Sequence, residues 1–470
     1  MPYLSSTCAS ASSPRDTRWC AGRGTDCSGC AEMSSLWGKI LRDLRNPLFL
    51  QGYALMANTV ITGVLGMGYW LLAAHFYSPE EFGRGQAVIT AMRLFASLTA
   101  LGFVGALARF LPVAGRRTPE LILRGYGLAA ATGGVAAIGF LLTLPMWGKT
   151  YSVLGGFGPG LFFLASVVVW AVFTLQDVVL TGLRRATFVP LNNLVFGVVK
   201  MGLLVAMAGA LPSGGIFVSW VIPTALALIP VNWLIFGVVV PRHVKQADPN
   251  QDPPRLREVG RFLAGDFPGT LSILAIVYLV PVVIATQVGE ATFGRFSMAH
   301  TLASMIELLA MNMAVSLTVE GSFDRTALAL NCRRALRRAF MIVTPIIAVA
   351  ILGAPLILRI FGSEFAEEGT TLLRLMALAV LPRVLIEVYL SALRAQSKAR
   401  TLAIVQIGLA VLVLVSTVAL FPHFGVNAVG YGLLFSEVLV ALLIFGNLRK
   451  ILKIDESGRS TVTQGSSGAS

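Results

Sequence analysis

Asp177-Val-Val-Leu-Thr-Gly-Leu-Arg184 recurs 210 residues later as Glu387-Val-Tyr-Leu-Ser-Ala-Leu-Arg394. Phe82-Gly83-Arg84 recurs after 211 residues as Phe293-Gly294-Arg295. Two matches at nearly one offset are hard to attribute to chance in a chain dominated by Leu, Val and Ala. The chain therefore reads as two tandem copies of one unit, and the unit is a set of long apolar runs. These fall at about 50–76, 86–108, 125–147, 159–182, 190–211 and 216–240 in the first copy. In the second they fall at about 265–288, 296–319, 339–358, 370–392, 402–421 and 429–447. Each is long enough to cross a bilayer as a helix of about 20 residues. Six is even, so both copies enter the membrane in the same direction, as parallel repeats about an axis along the membrane normal. The expected fold is all-α and polytopic, with about twelve transmembrane helices in two parallel six-helix repeats.

Composition agrees. Hydrophobic residues make up 56% of the 470 and charged residues 13%, with a mean hydropathy of +0.76. A soluble domain carries about 25% charged residues, so this chain lacks the charge to coat a water-facing surface. The net charge of +14 raises nucleic acid as a partner, and the placement of the charges removes it. With the N-terminus in the cytoplasm, 26 of the 37 Lys and Arg fall in inside segments. Four fall outside: Arg84, Lys149, Arg295 and Arg359. That bias follows the positive-inside rule and predicts a multi-pass protein of the cytoplasmic (inner) membrane with both termini in the cytoplasm.

The longest polar interruption, 241–264, holds Pro241, Pro253 and Pro254 and separates lobe 46–240 from lobe 265–448. Residues 449–470 read as a disordered cytoplasmic tail. Residues 1–45 read as a disordered or amphipathic cytoplasmic N-terminus. Its first 32 residues lack the apolar core of a signal peptide and read best as an upstream misreading of a start at Met33. Cys27-Ser-Gly-Cys30 has zinc-like spacing without a second pair or a nearby His, so no metal site is expected.

Tyr77-Ser-Pro-Glu-Glu-Phe-Gly-Arg84, then Gly102-Phe-Val-Gly-Ala-Leu-Ala-Arg-Phe-Leu-Pro112, and Ala392-Leu-Arg-Ala-Gln-Ser-Lys398 together resemble the polysaccharide-export flippases of the multidrug/oligosaccharidyl-lipid/polysaccharide (MOP) superfamily. The resemblance covers about residues 45–450. It implies V-shaped six-helix lobes around a hydrophilic cavity, and an isoprenoid-pyrophosphate-linked oligosaccharide flipped from the inner to the outer face. It also brings membrane lipid and glycan polymerases or ligases into view as partners. The lipid II flippases of the superfamily usually have fourteen spans, which counts against that branch. Multidrug extruders have twelve, so a cation or drug antiporter stands as the alternative. A non-transporting scaffold for glycan assembly is a third, disfavoured by charges at several membrane depths.

Those charges are the site candidates, since an ionisable group within a span is costly unless it faces a cavity or a partner. Lys200 lies about ten residues, or about 15 Å, from either end of its span, which points to the cavity or to a pairing within the bundle. Arg93 and Arg383 complete the cargo candidates, because Arg matches phosphate with a bidentate fork. His300 and Glu307, seven residues apart, share one helix face and are the candidates for carrying a coupling H+ or Na+. By the repeat offset Arg93 corresponds to Ser304 on that same stripe, so Arg93 and Glu307 could oppose each other across a cavity. Asp177 and Arg184, with Glu387 and Arg394, repeat an acid-to-arginine spacing and read as structural or gate residues. Arg383 and Glu387 are spaced for an ion pair within one helix. Glu437 lies mid-span with no evident partner. No P-loop appears; neither an enzyme nor a cofactor is expected.

Overall fold

The computed structural model describes residues 47–464 except 184, 186, 212, 247–255, 324–327 and 397. The N-terminal segment 1–45 and Arg184 thus lie outside the described residues. Twelve helical segments follow one another, and no strand occurs among the described residues. In the first half these are α1 Pro47–Phe76, α2 Pro79–Phe110, α3 Thr118–Leu142, α4 Phe157–Gly182, α5 Phe188–Ala210 and α6 Gly215–Gln246. In the second half α7 runs from Leu256–Leu274 through a π-helical turn at Ala275–Leu279 into Val280–Gln287. After it come α8 Glu290–Phe323, α9 Leu328–Arg359, α10 Ser363–Ala395, α11 Ala399–Phe424 and α12 Ala428–Gln464.

Eight helical stretches among the described residues are long and apolar enough to span a bilayer alone. One of these, Arg400–Leu452, runs through α11 and the first part of α12. A bent pair within α2, Pro79–Leu98 with Gly102–Val113, adds another. Only α7 and α8 fall short. Arg257, Glu258 and Arg261 occupy the start of α7, and Glu290, Arg295, His300 and Glu307 lie along α8. Of these residues, His300 and Glu307 border the cavity described below.

Local chemistry sets where the helices begin. Ser78 caps α2 through a reciprocal capping box with Glu81, and Pro79 follows with its φ already set for a helix. The Tyr77 hydroxyl donates to the Leu204 carbonyl at 2.9 Å. Burial, with Glu81 nearby, pushes that hydroxyl up to about 12, so it remains a donor throughout the physiological range. Between α3 and α4, residues 144–154 wind into short 3-10 turns hinged on Gly148 at φ 80°.

The described residues from Ala54 onward form one compact unit. In its first half α2 packs on α3, α4 and α6, around the rings of Phe95, Phe140 and Phe163. In its second half α10 takes the same central position against α8, α9 and α12. The halves meet where α2 packs on α7 and α8.

Candidate functional site

A cavity of about 420 Å³ lies between α2 of the first half and α7, α8 and α10 of the second. Arg93, Tyr278, His300, Glu307 and Arg383 bring its charge and its main polar groups, and Trp70 closes one side. Arg93 reaches in from α2. Its Nη2 donates to the Tyr278 hydroxyl at 3.0 Å, and its guanidinium lies 5.6 Å from the Trp170 ring centroid and 5.1 Å from that of Tyr278. The Arg93 Nε is buried without a hydrogen-bond partner, so the wall keeps one donor of a cation unspent. Tyr278 belongs to the π-helical turn of α7, a distortion that concentrates at functional sites. Opposite, His300 packs on Phe296 with ring centroids 5.5 Å apart, and Glu307 lines the same space two turns further along α8.

Behind Glu307 the second half holds a charged knot. Arg383 approaches Glu387 at 2.9 Å, Glu307 at 3.4 Å and Glu437 at 3.5 Å. The pair within α10 has the expected spacing; Glu437, which has no evident partner in the sequence, is carried by α12 to the same guanidinium. Mid-span depth was the available signal, because an acid buried there needs a cation from another helix. One arginine faces three carboxylates, and the Glu437 Oε2 is buried without a hydrogen-bond partner. A proton or a monovalent cation would relieve that imbalance.

Of the two places open to Lys200, the cavity or a pairing within the bundle, the structure has it within the bundle. It is buried in the first-half bundle and is not among the cavity-lining residues. Its Nζ lies 3.7 Å from the Trp220 ring centroid, 4.4 Å from that of Tyr69 and 5.1 Å from that of Phe196. Among the described residues it makes no ion pair. The aromatic cage supplies what a carboxylate would otherwise supply, since ring faces attract a desolvated ammonium. Trp220 stacks on Trp70 at 5.4 Å, so the cage backs directly onto the cavity wall.

Asp177 accepts from the Asn193 Nδ2 at 3.0 Å, and the same nitrogen donates to the Asn58 Oδ1 at 3.0 Å. This trio ties α1, α4 and α5 together, and neither asparagine drew notice in the sequence. The other Asp177 oxygen and the Tyr126 hydroxyl are buried without hydrogen-bond partners. Arg394, near the end of α10, makes no ion pair among the described residues. The duplicated acids therefore serve different neighbours, Asp177 an amide and Glu387 a guanidinium. No group of three or more His, Cys, Asp or Glu among the described residues is arranged to hold a metal ion.

Solved structures match this architecture across most of the chain. An inward-facing multidrug-resistance MATE family transporter of the MOP superfamily superposes with a TM-score of 0.65. It covers 85% of this chain and 96% of its own, at 16% identity. An outward-facing MATE family transporter gives 0.57 at 16% identity, covering 86% and 96%. The fold is that of MOP-superfamily transporters. A third MOP-fold structure, at 0.59 and 14% identity over 86% of this chain and 95% of its own, is a transporter from Pyrococcus furiosus. For that protein, reverse polarity of the binding pocket suggests a different function. No protein-family model matches this chain, and no curated protein matches its sequence.

Proposed function

We propose that this chain is a transporter that works by alternating access between lobes 46–240 and 265–448, joined by the 241–264 linker. Its cargo is an isoprenoid-pyrophosphate-linked oligosaccharide, flipped from the inner to the outer face of the cytoplasmic membrane for surface polysaccharide assembly. The observation that carries this reading is Arg93. A guanidinium with an unspent Nε–H borders a cavity whose walls also carry Arg383, Glu307 and His300, hydroxyls such as Thr90 and Ser304, and aromatic faces. Arg fits a phosphate with two donors at once, and Trp70 and Tyr278 offer flat surfaces on which a sugar ring can lie. Glu307 and His300, on the opposite wall, are suited to carry a coupling H+ or Na+, with the Arg383 knot behind them. Glycan polymerases or ligases would take the cargo after release.

The test is surface glycan accumulation in a strain lacking the native gene, normalised to protein in the membrane fraction. Arg93→Ala should reduce export roughly tenfold or more, as expected for loss of a charge-assisted contact. Arg93→Lys should retain part of it. Full export by Arg93→Glu at normal abundance would overturn the phosphate role.

A second reading, extrusion of small cations, is favoured by Glu307 facing the same cavity with two more glutamates behind it. In that case Glu307→Gln should sensitise cells to cationic drugs and leave surface glycan unchanged.

A further inference from the structure

The two Phe-Gly-Arg copies do not merely repeat; they meet. A Cβ placed on Gly83 would overlap the Glu290 carbonyl and come within 2.9 Å of the Gly294 backbone nitrogen. A Cβ on Gly294 would lie 3.0 Å from the Pro79 carbonyl oxygen and 3.1 Å from the Gly83 nitrogen. The α2 and α8 backbones thus touch at a point where a Cβ on Gly83 would collide with backbone and one on Gly294 would be tightly crowded by it. Phe82 and Phe293 are fully buried beside it, and Phe82 crosses to Phe365 of α10 with ring centroids 5.4 Å apart.

An ion pair closes the same point. Arg84 of the first half binds Glu290 of the second through Nε at 3.0 Å to both oxygens and through Nη2 at 2.6 Å to Oε2. Arg295, the repeat counterpart of Arg84, finds no matching acid across the contact, because the position equivalent to Glu290 is Pro79. It turns instead to Glu364 and Glu368 in its own half. Only one of the two arginines crosses. A further contact joins the halves at this end: a Cβ on Gly148 would lie 3.0 Å from the Thr286 carbonyl oxygen.

The place of this contact gives it a meaning. Gln86 and Ser297, each three residues beyond its glycine, are the first cavity-lining positions on α2 and α8. The glycine contact therefore lies one turn beyond the cavity, across its path to the loop end that carries 77–79 and 288–289.

We propose that the Gly83–Gly294 contact is the gate closing the cavity toward that end, with Arg84–Glu290 as its ionic latch. The proposal rests on the alternating-access reading and adds the element that must part in each cycle. Backbone contact supplies shape, since two glycines leave no gap. The partly buried ion pair supplies a bond that can be exchanged for water when the halves separate.

The experiment reads conformation without cargo. Ser297→Cys, in protein whose native cysteines are replaced, is exposed to an impermeant maleimide in sealed vesicles of either orientation. From the Gly83 side it should react slowly. Adding Glu290→Ala, or Gly83→Ala, should raise that rate roughly tenfold, the size expected for loss of a charged hydrogen-bonded pair. The swap Arg84→Glu with Glu290→Arg should bring the rate back toward the parent. Arg295→Ala should leave the rate unchanged and lower only abundance, because its partners belong to its own half. If Gly83→Ala does not reach the membrane, Glu290→Ala and the swap decide. An unchanged rate in Glu290→Ala at parental abundance overturns the latch. Faster labelling with intact surface glycan in every Arg93 variant would instead sink the cargo reading and leave the gate standing.

Discussion

An ammonium held among three aromatic rings needs no carboxylate, and Lys200 shows what depth along a helix does and does not reveal. Mid-span position gives the cost of the charge, because a cation far from either interface cannot reach water. It does not give the other helices' contributions: Phe196 is four residues earlier on the same helix, but Tyr69 and Trp220 come from α1 and α6, and their approach is tertiary. If the cage is structural, Lys200→Ala loses both the ring contacts and the packing of the aliphatic stem. The expected cost is roughly 2–4 kcal/mol. Lys200→Met should cost less than Lys200→Ala because it refills the volume, and Lys200→Glu should cost most because ring faces repel an anion. Thermal unfolding in detergent should rank the variants in that order, with export per folded molecule unchanged. Lys200→Ala at full abundance with export lost would return this lysine to the transport path. Arg93 was easier to place from sequence. Its repeat counterpart falls on the His300–Glu307 stripe, and all three border one cavity. Tyr278, which binds Arg93, was hidden, because a π-helical turn has no reliable local signature.

At the scale of elements, the sequence carried the helices and the duplication because both are written in apolar length and in one fixed offset. It could not carry the contact between copies. The offset equates Gly83 with Gly294 without saying that they touch. The knot of α8, α10 and α12 was half legible: the Arg383–Glu387 pair follows from spacing within α10, while Glu307 and Glu437 arrive from other helices. Its energetics make a prediction. Removing Arg383 leaves three carboxylates without a cation in the bundle, and breaking a buried pair in this way costs roughly 3–5 kcal/mol. Arg383→Leu should therefore accumulate poorly. The triple change Arg383→Leu, Glu387→Leu and Glu437→Leu should recover much of the loss, since it replaces the more deeply buried ions by apolar groups and leaves only Glu307, which borders the cavity. Immunoblotting of the membrane fraction checks both. If the knot also carries the coupling ion, the recovered triple variant should export at a rate that no longer responds to the ion gradient. A triple variant no more abundant than Arg383→Leu alone would contradict the account of the knot as a self-compensating cluster.

For the molecule as a whole, the arrangement of loops turns a charge count into an orientation. One end carries the turns at 77–79, 144–154, 288–289, 360–362 and 425–427; the other carries the turn at 111–117 and the C-terminal ends of α4 and α10. Lys149, in the first set, is nearly alone. Arg116 and Arg117, then Arg333, Arg334, Arg337 and Arg338 at the start of α9, crowd the second. Cationic residues are retained on the cytoplasmic side during insertion, so the Gly83–Gly294 contact should face outward and the cavity should be closed from outside. Two single-cysteine variants check the orientation after replacement of the native cysteines. Ser152→Cys lies in the 3-10 turns of the sparse end, and Arg334→Cys lies in the exposed basic stripe of α9. In intact cells an impermeant maleimide should modify the first and spare the second until the membrane is permeabilised. The reverse pattern would invert the molecule and make the glycine gate cytoplasmic. Modification of both in intact cells would mean that the basic and sparse ends share one side of the membrane. That result would be incompatible with helices that cross from one end to the other, and the parallel-repeat topology would fail with it.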